Sequence, residues 1–396
     1  MTLLPEPVAR CRVPVTFSPS QLAFGERCLL RTVLGSARGL PTLTAHPAAA
    51  LGRVFHKLLE LAVRRAIPRQ GTAGCDAERE LHRLLDEEDA RLAATWPSDP
   101  PRLRDIFPPL IWRRKRRVVL DLAEKYLAGA VPAAPVGAGG GMIRNAQNLP
   151  PEGSWSEVYL EAPSLRLRGR ADLIERTQGD VVIRDLKTGR VLTDDNEVLP
   201  HIERQMQLYG AMAYVVWPSA RVSLVVDHGV EREVAFAREH EEGVLAWLQS
   251  ILDRLPPDRN IEAEALATPG EACEGCQHRH VCPAYRRHAP GFWGDAAPVR
   301  MPLDIWGNVI AVTVRSDGLA DLTIRDAAGR TVKVFGLTAF RMAEIRPADA
   351  VWFFGLRTRD KLGGPKSWRH PHNFFEVADD DSFSRAWTLE VFKSLP

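Results

Sequence analysis

The stretch LRLRGRADLIERTQGDVVIRDLKTG, residues 165–189, restricts the possible folds more than any other part of the sequence. Two runs of aliphatic and β-branched residues flank the turn RTQGD, and this pattern predicts two neighbouring β-strands. Asp172 lies within the first strand, while Asp185 and Lys187 lie at the end of the second. Residues two apart in a strand face the same side of a sheet, so Asp185 and Lys187 share a face and Asp172 can meet them.

These three side chains form a set that is suited to phosphodiester chemistry. Two carboxylates that are brought together repel each other, and they are stable mainly around a hard cation such as Mg²⁺ or Mn²⁺. A neighbouring lysine can neutralise charge or orient a water molecule. We therefore interpret Asp172, Asp185 and Lys187 as candidate catalytic residues for metal-assisted hydrolysis. A DxK motif alone is more often a solvated strand end, so the residues that accompany it decide the interpretation.

Helices are predicted on both sides of this hairpin, over 47–66, 77–95, 103–129 and 202–216. Helices that flank a small mixed sheet define an α/β core. His56 lies on the 47–66 helix. Gln205 and Tyr209 are four residues apart, so they share one helix face, where an amide and a phenol could hold a phosphate backbone or a base.

The order of these residues along the chain resembles the RecB-like branch of the PD-(D/E)XK nuclease superfamily. The resemblance covers about residues 16–285, and it implies a nuclease core in which a mixed sheet is flanked by helices. It implies that His56, Asp172 and Asp185 bind Mg²⁺ or Mn²⁺ and that Lys187 positions the attacking water. It also implies that Gln205 and Tyr209 help to hold the DNA strand.

Three of the six cysteines form a local motif. The run CEGCQHRHVC places Cys273, Cys276 and Cys282 in a C-x₂-C-x₅-C arrangement, and either zinc or an iron–sulfur cluster needs a fourth ligand. His278 and His280 make a local zinc site conceivable. From the residues alone, both centres stay open.

The resemblance favours the cluster. RecB-like nucleases that carry one, which include the bacterial AddB subunit and the CRISPR adaptation nucleases, have one cysteine before the histidine helix and three after the Gln/Tyr helix. Cys28 stands in the matching upstream position. The resemblance therefore implies a 4Fe–4S cluster held by Cys28, Cys273, Cys276 and Cys282, which would tie the first helix to the segment after the last nuclease helix. Cys11 and Cys75 have no partner pattern, and we expect them to be plain thiols.

From about residue 298 the sequence becomes almost wholly β, and its five predicted strands with short turns suggest a small barrel, most simply an OB-fold. We therefore predict a nuclease domain at 1–295 and an OB-fold-like nucleic-acid-binding domain at 296–396. The loop 357–372 is basic and contains an indole, as strand-binding grooves do. The DNA-binding residues predicted there are Arg357, Arg359, Lys361, Lys366, Trp368 and Arg369.

A second basic run, WRRKRR at 112–117, is either a phosphate contact or an exposed helix face.

Bulk properties narrow the class of function. The net charge is only +2, so any basic surface is local. No apolar run approaches the length of a membrane span and no secretory pattern is present, so we expect a cytoplasmic protein. No Walker motif occurs, so DNA unwinding would need another protein.

The sequence thus predicts a metal-dependent DNA nuclease, acting as an exonuclease on single-stranded or end-containing DNA in repair, recombination or phage defence. One alternative is a non-catalytic DNA-binding subunit that uses the nuclease fold as a scaffold. Another is a subunit of a helicase or defence complex that is active only when DNA is fed to it.

Overall fold

The computed structural model describes most of the chain. The described residues are 2–37, 39–43, 47–95, 102–107, 109–128, 146–187, 189, 191–228, 230–273, 276–288, 303–316, 318–325, 329, 331–338, 344–356, 374–376 and 390–393.

The helices within these ranges are α1 (Pro19–Leu22), α2 (Leu29–Ser36), α3 (Pro47–Val63), α4 (Ala73–Thr95), α5 (Pro109–Leu127), α6 (Pro200–Val216), α7 (Arg238–Leu252) and α8 (Pro283–His288). The strands are β1 (Thr2–Leu3), β2 (Arg10–Arg12), β3 (Gly153–Ala162), β4 (Leu167–Thr177), β5 (Asp180–Leu186), β6 (Arg221–Asp227), β7 (Glu231–Val234), β8 (Asn260–Glu262), β9 (Leu303–Val314), β10 (Leu319–Arg325), β11 (Thr331–Thr338), β12 (Ala350–Leu356), β13 (Phe374–Glu376) and β14 (Glu390–Lys393).

A five-stranded mixed sheet forms the centre of the first part of the chain. Its strands lie in the order β3-β4-β5-β6-β7, and only the β5–β6 pair is parallel. Helix α6 lies in the crossover between these two parallel strands. The predicted β4–β5 hairpin is confirmed, and Gly179 at its turn has a φ of 84°, which glycine adopts without steric cost.

Helices cover both faces of this sheet. Ile174 packs in a core with residues of α6 and α7, whereas the adjacent Leu173 packs with α3, α4 and α5 on the opposite face. This split follows from the two-residue period of a strand, which sends neighbouring side chains to opposite faces. The predicted α/β core with flanking helices is therefore confirmed.

The predicted helix over 103–129 is divided in the structure. The helix expected over 103–129 consists of a short 3₁₀ turn at Leu103–Asp105 followed by α5, which begins at Pro109. Proline lacks an N–H group, so it is accepted at the start of a helix and interrupts its interior. In the N-terminal region α1 is capped by Ser18, which forms a capping box with Gln21, and α2 is a separate helix.

The last part of the chain forms a second sheet. Its strands lie in the order β1-β14-β12-β9-β10-β11-β13, and the N-terminal strand β1 pairs in parallel with β14. Within the described residues this sheet is open, with β1 and β13 at its edges, so the closed barrel that we predicted is not seen there. The predicted loop 357–372 lies outside the described residues, and the domain boundary at 295/296 stays a prediction.

Among the helices that the structure describes, none combines the length and the apolar character that crossing a membrane requires.

Candidate active site

A row of acidic residues crosses three adjacent strands of the first sheet. The antiparallel register pairs Ser156 with Leu173 and Val158 with Ala171, so Glu157 of β3 lies opposite Asp172 of β4. The next register pairs Leu173 with Arg184, which places Asp185 of β5 one step further along, opposite Asp172. Residues that are directly opposite in neighbouring strands share a face. The three acidic residues therefore share one face of the sheet.

His56 reaches the row from helix α3. Its Nδ1 lies 3.3 Å from Asp172 Oδ1 and 3.7 Å from Glu157 Oε1. One ligand atom from each of His56, Glu157 and Asp172 lies within 4.8 Å of the others, as in a metal-binding group. The structure thus places the predicted ligand His56 beside the predicted ligand Asp172.

Asp185 is held at the end of β5 by neighbouring groups. Lys187 Nζ lies 2.9 Å from Asp185 Oδ2, and Gln205 Nε2 donates a hydrogen bond of 2.9 Å to Oδ1. Asp172 Oδ2 accepts a 2.8 Å hydrogen bond from the backbone N–H of Leu186, which ties β4 to the end of β5. The structure therefore brings Asp172, Asp185, Lys187 and Gln205 together, in the hairpin geometry that the sequence pattern predicts.

The electrostatics of the site reflect crowded negative charge. Burial raises the pKa of Asp185 to about 6, while Lys187 opposes the rise and Asp172 adds to it. Burial lowers the pKa of His56, but its contacts with Asp172 and Glu157 outweigh that effect and raise the value to about 10. Burial likewise lowers the pKa of Lys187, and the charge of Asp185 brings it above its usual value. The raised pKa values of His56 and Lys187 thus reflect the neighbouring carboxylates, whereas the raised pKa of Asp185 reflects mainly its burial.

The oxygen atoms of this cluster fit a divalent cation. Asp185 Oδ2 is buried and accepts no well-aligned hydrogen bond from the described residues, although Lys187 Nζ is close to it. The ammonium group of Lys187 offsets part of this buried negative charge. Carboxylate oxygens suit Mg²⁺ and Mn²⁺, and an imidazole such as that of His56 suits the transition metals.

Tyr209 supports the site from helix α6. Its side chain is buried, and its hydroxyl donates a 2.9 Å hydrogen bond to the carbonyl of Arg170 in β4. Gln205, one helical turn earlier, is also buried and contacts Asp185. The two residues share a face, as their spacing predicts, and their contacts here are with the protein. Their contact with DNA stays a prediction.

Sequence reasoning missed Glu157. This residue has a φ of 57°, in the left-handed region that costs a non-glycine residue roughly 1–2 kcal/mol, and its Oε2 lies 2.6 Å from Arg170 Nε. Such strain persists only where the surrounding structure imposes it. The sequence signal that could have found Glu157 is the register of β3 on β4. Counting residues away from the turn between these two strands places Glu157 opposite Asp172.

The four cysteines of the predicted cluster surround one small cavity. Cys28 at the start of α2 lines it together with Cys273, Cys276 and Cys282. All six cysteines of the chain are free thiols. Burial raises the pKa of Cys273 and Cys276, and it raises that of Cys282 to about 12. The structure therefore brings Cys28 together with three cysteines that lie far later in the sequence.

The family is shown by comparison with known proteins. The sequence model of the PD-(D/E)XK nuclease superfamily matches residues 16–283, which is more than half of the chain. The chain therefore belongs to the PD-(D/E)XK nuclease superfamily, whose members are nuclease-type phosphodiesterases. A search of curated proteins finds none that matches this chain. The matched region contains every residue of the acidic site and all four cysteines at the cavity.

Proposed function

We propose that this protein is a divalent-metal-dependent nuclease that hydrolyses phosphodiester bonds in DNA. The observation that carries the proposal is the row of Glu157, Asp172 and Asp185 with Lys187 in contact with Asp185, in a chain of the nuclease superfamily. A run of carboxylates with one adjacent lysine is the arrangement that metal-assisted phosphoryl chemistry needs.

Each residue has a role that follows from its contacts. His56, Glu157 and Asp172 would hold the cation, which when bound supplies positive charge that activates water and stabilises the phosphate in the transition state. Asp185, on the neighbouring strand, is proposed to complete the ligand set. Lys187 orients the attacking water and offsets the charge of Asp185. Gln205 fixes the orientation of the Asp185 carboxylate, and Tyr209 braces β4 through the carbonyl of Arg170.

The substrate is single-stranded or end-containing DNA, and the enzyme acts as a RecB-like exonuclease in DNA repair, recombination or phage defence. The residue order from His56 to Tyr209 supports this branch. The alternative is a non-catalytic subunit of a helicase–nuclease or defence complex. The complete set of acids and lysine, brought together by the fold, counts against that alternative.

The proposal is tested with protein that is purified under anaerobic conditions. The substrates are end-labelled single- and double-stranded DNA, in the presence of Mg²⁺ or Mn²⁺. Asp185→Asn should lower the cleavage rate by about 100-fold or more, because it removes a charged carboxylate that would help to hold the cation. Asp195→Asn, at an exposed loop position, is the matched control and should cleave like the parent. Equal rates for Asp185→Asn and the parent, with both proteins folded by circular dichroism, would refute the site.

The cysteine cavity holds a 4Fe–4S cluster in this proposal. Four cysteines line one cavity, and four is the number of ligands that a 4Fe–4S cluster or a zinc ion needs. The resemblance to the RecB-like nucleases that carry a cluster favours the cluster, which staples α2 to the segment that follows α7.

The C-terminal part, residues 296–396, is proposed to be an OB-fold-like module that binds single strands. The charge and aromatic content of loop 357–372 support this role. Trp368→Ala combined with Arg369→Ala should weaken binding of a labelled single strand, measured by fluorescence anisotropy without metal. An unchanged affinity and salt dependence would assign the module to packing or to a protein partner.

A further inference from the structure

A cleft of about 360 Å³ opens beside Lys187, between helix α5 and the end of strand β5. This volume is near the lower end of ligand sites, which hold about 300–1,000 Å³. The residues that line it include Phe55, Ile111, Arg114, Leu186, Lys187 and His228. The cleft is therefore continuous with the acidic site through Lys187 and Leu186.

The chemistry of the lining is apolar and cationic. Seven aliphatic or aromatic residues form the walls, three lysine or arginine residues add positive charge, and no acid occurs among the described residues that line the cleft. Ile111 remains 46% exposed beside it. His228 lies in the wall, and its buried Nε2 has no hydrogen-bond partner among the described residues. Such a lining suits a ligand with a flat apolar body, polar edges and a negative charge.

The basic run 112–117 divides between two surfaces. Arg116 pairs with Glu78, and Arg117 lies 3.4 Å from Asp121, so these two charges are engaged by acids. Arg114 is exposed at the cleft and makes no ion pair within the described part of the chain. One part of this run is therefore an ion-paired helix face, while Arg114 is exposed at the cleft, and its contact with a phosphate stays a prediction.

We propose that this cleft binds one unpaired nucleotide of the DNA strand, next to the phosphate that is cut. The base lies against the apolar walls and the phosphate lies near Arg114, while Lys187 stands between the cleft and the acidic row. A base in a duplex is stacked and paired, so it enters such a pocket only after it leaves the helix. The cleft thus selects single-stranded DNA at the cut, and this inference rests on the proposed nuclease function.

Two pairs of variants isolate the cleft. Ile111→Glu places an acid in the lining, and Leu110→Glu places the same acid one residue earlier, at a 73% exposed position that does not line the cleft. Arg114→Ala removes the cationic group at the cleft, and Arg113→Ala removes an exposed arginine next to it that does not line the cleft. All four are made in the Asp185→Asn background, and binding is measured by fluorescence anisotropy in EDTA, so that cleavage plays no part.

We expect Ile111→Glu to weaken the binding of a labelled oligothymidylate by at least about fivefold, corresponding to about 1 kcal/mol, the lower end for one stacked base. Arg114→Ala should weaken it and reduce the salt dependence by about one phosphate contact. Leu110→Glu and Arg113→Ala should stay within about twofold of the parent. Binding of a blunt duplex should respond less to the cleft variants.

A cleavage measurement separates a failure of the cleft from a failure of the proposed nuclease function. Protein with an intact Asp185 is given single strands in which one abasic residue, which keeps the phosphate but lacks the base, is moved along the chain. A rate minimum at one fixed distance from the cut supports the cleft. Equal effects of Ile111→Glu and Leu110→Glu, and of Arg114→Ala and Arg113→Ala, would overturn it even if cleavage is normal. Absence of cleavage by the parent would refute the nuclease proposal, while the binding comparison would still decide the cleft.

Discussion

At the scale of single residues, Gln205 connects helix α6 to the acidic row. Its side chain is buried, and its amide donates to Asp185 Oδ1 at 2.9 Å. Groups that hydrogen-bond a metal ligand fix its orientation, and their loss commonly lowers metal affinity or activity. Gln205 is therefore a positioning residue for the carboxylate that the proposed cation needs.

Gln205→Ala should lower the affinity for Mn²⁺ by about 10- to 100-fold, because Asp185 loses the group that orients it. Calorimetric titration of the DNA-free protein with Mn²⁺ measures this directly. The control is Gln207→Ala, since Gln207 lies two residues away and bonds to Glu203 and Arg204 instead. If Gln205→Ala bound Mn²⁺ as tightly as the parent, the positioning role would be wrong.

At the scale of elements, strand β4 is packed closely against α6 and α1 at Gly169. A Cβ atom built there would lie 2.8 Å from Tyr209 Cε1 and 2.8 Å from Pro19 Cδ. Both distances are far below van der Waals contact, so the absence of a side chain at Gly169 lets Tyr209 lie against the strand. The same approach allows the Tyr209 hydroxyl to reach the carbonyl of Arg170.

Gly169→Ala should destabilise the protein by about 1–3 kcal/mol, because the added methyl group displaces Tyr209 or Pro19. The control, Gly243→Ala in α7, has open space around it and should instead stabilise the protein by up to about 1 kcal/mol, since alanine favours a helix. Urea unfolding gives both values. A Gly169→Ala protein as stable as the parent would show that this contact relaxes freely.

At the scale of the whole molecule, the cysteine-bearing segment contacts both parts of the chain. Arg279 lies between Cys276 and Cys282 in sequence, and it forms a buried ion pair with Asp304 of β9 at 2.6 Å. Tyr285 also donates to Asp304, at 2.5 Å, and the charge of Asp304 raises the pKa of Arg279 although burial lowers it. His280 stacks on Phe392 of β14. The second sheet is thus attached where the proposed cluster lies.

Asp304→Ala should cost about 3–5 kcal/mol, because it leaves the Arg279 charge buried without its partner. Hydrogen exchange should show faster opening of residues 303–356. Asp321→Ala is the control: its ion pair with Arg315, at 3.9 Å, is partly exposed, and such pairs contribute about 0–1 kcal/mol. Equal exchange in the two variants would mean that the Arg279 pair does not hold the second sheet.

The proposed cluster should also affect the iron content and the stability of the whole protein. Protein purified without oxygen should contain about four irons per chain, and Cys28→Ser should lose the iron together with stability, since it opens the link between α2 and the 273–282 segment. Cys75→Ser, at an exposed position in α4, should keep the iron. One zinc and no iron, retained in Cys28→Ser, would instead indicate a local finger.

The sequence by itself determined the β4–β5 hairpin and the approach of Asp172 to Asp185 and Lys187. These features depend on a short turn and on the two-residue period of a strand, so residues close in the chain encode them. The shared face of Gln205 and Tyr209 follows in the same way from helical spacing.

Only the tertiary structure decided the contacts between segments that are distant in sequence. Glu157 joins the site through the register of β3 on β4 and a left-handed backbone, and the buried partners of Gln205 and Tyr209 depend on how α6 packs. The parallel pairing of β1 with β14 joins the two ends of the chain, and Arg279 meets Asp304 across separate parts of the fold. Such contacts carry no local pattern, because their free energy comes from burial and pairing between segments that meet only after the whole chain has folded.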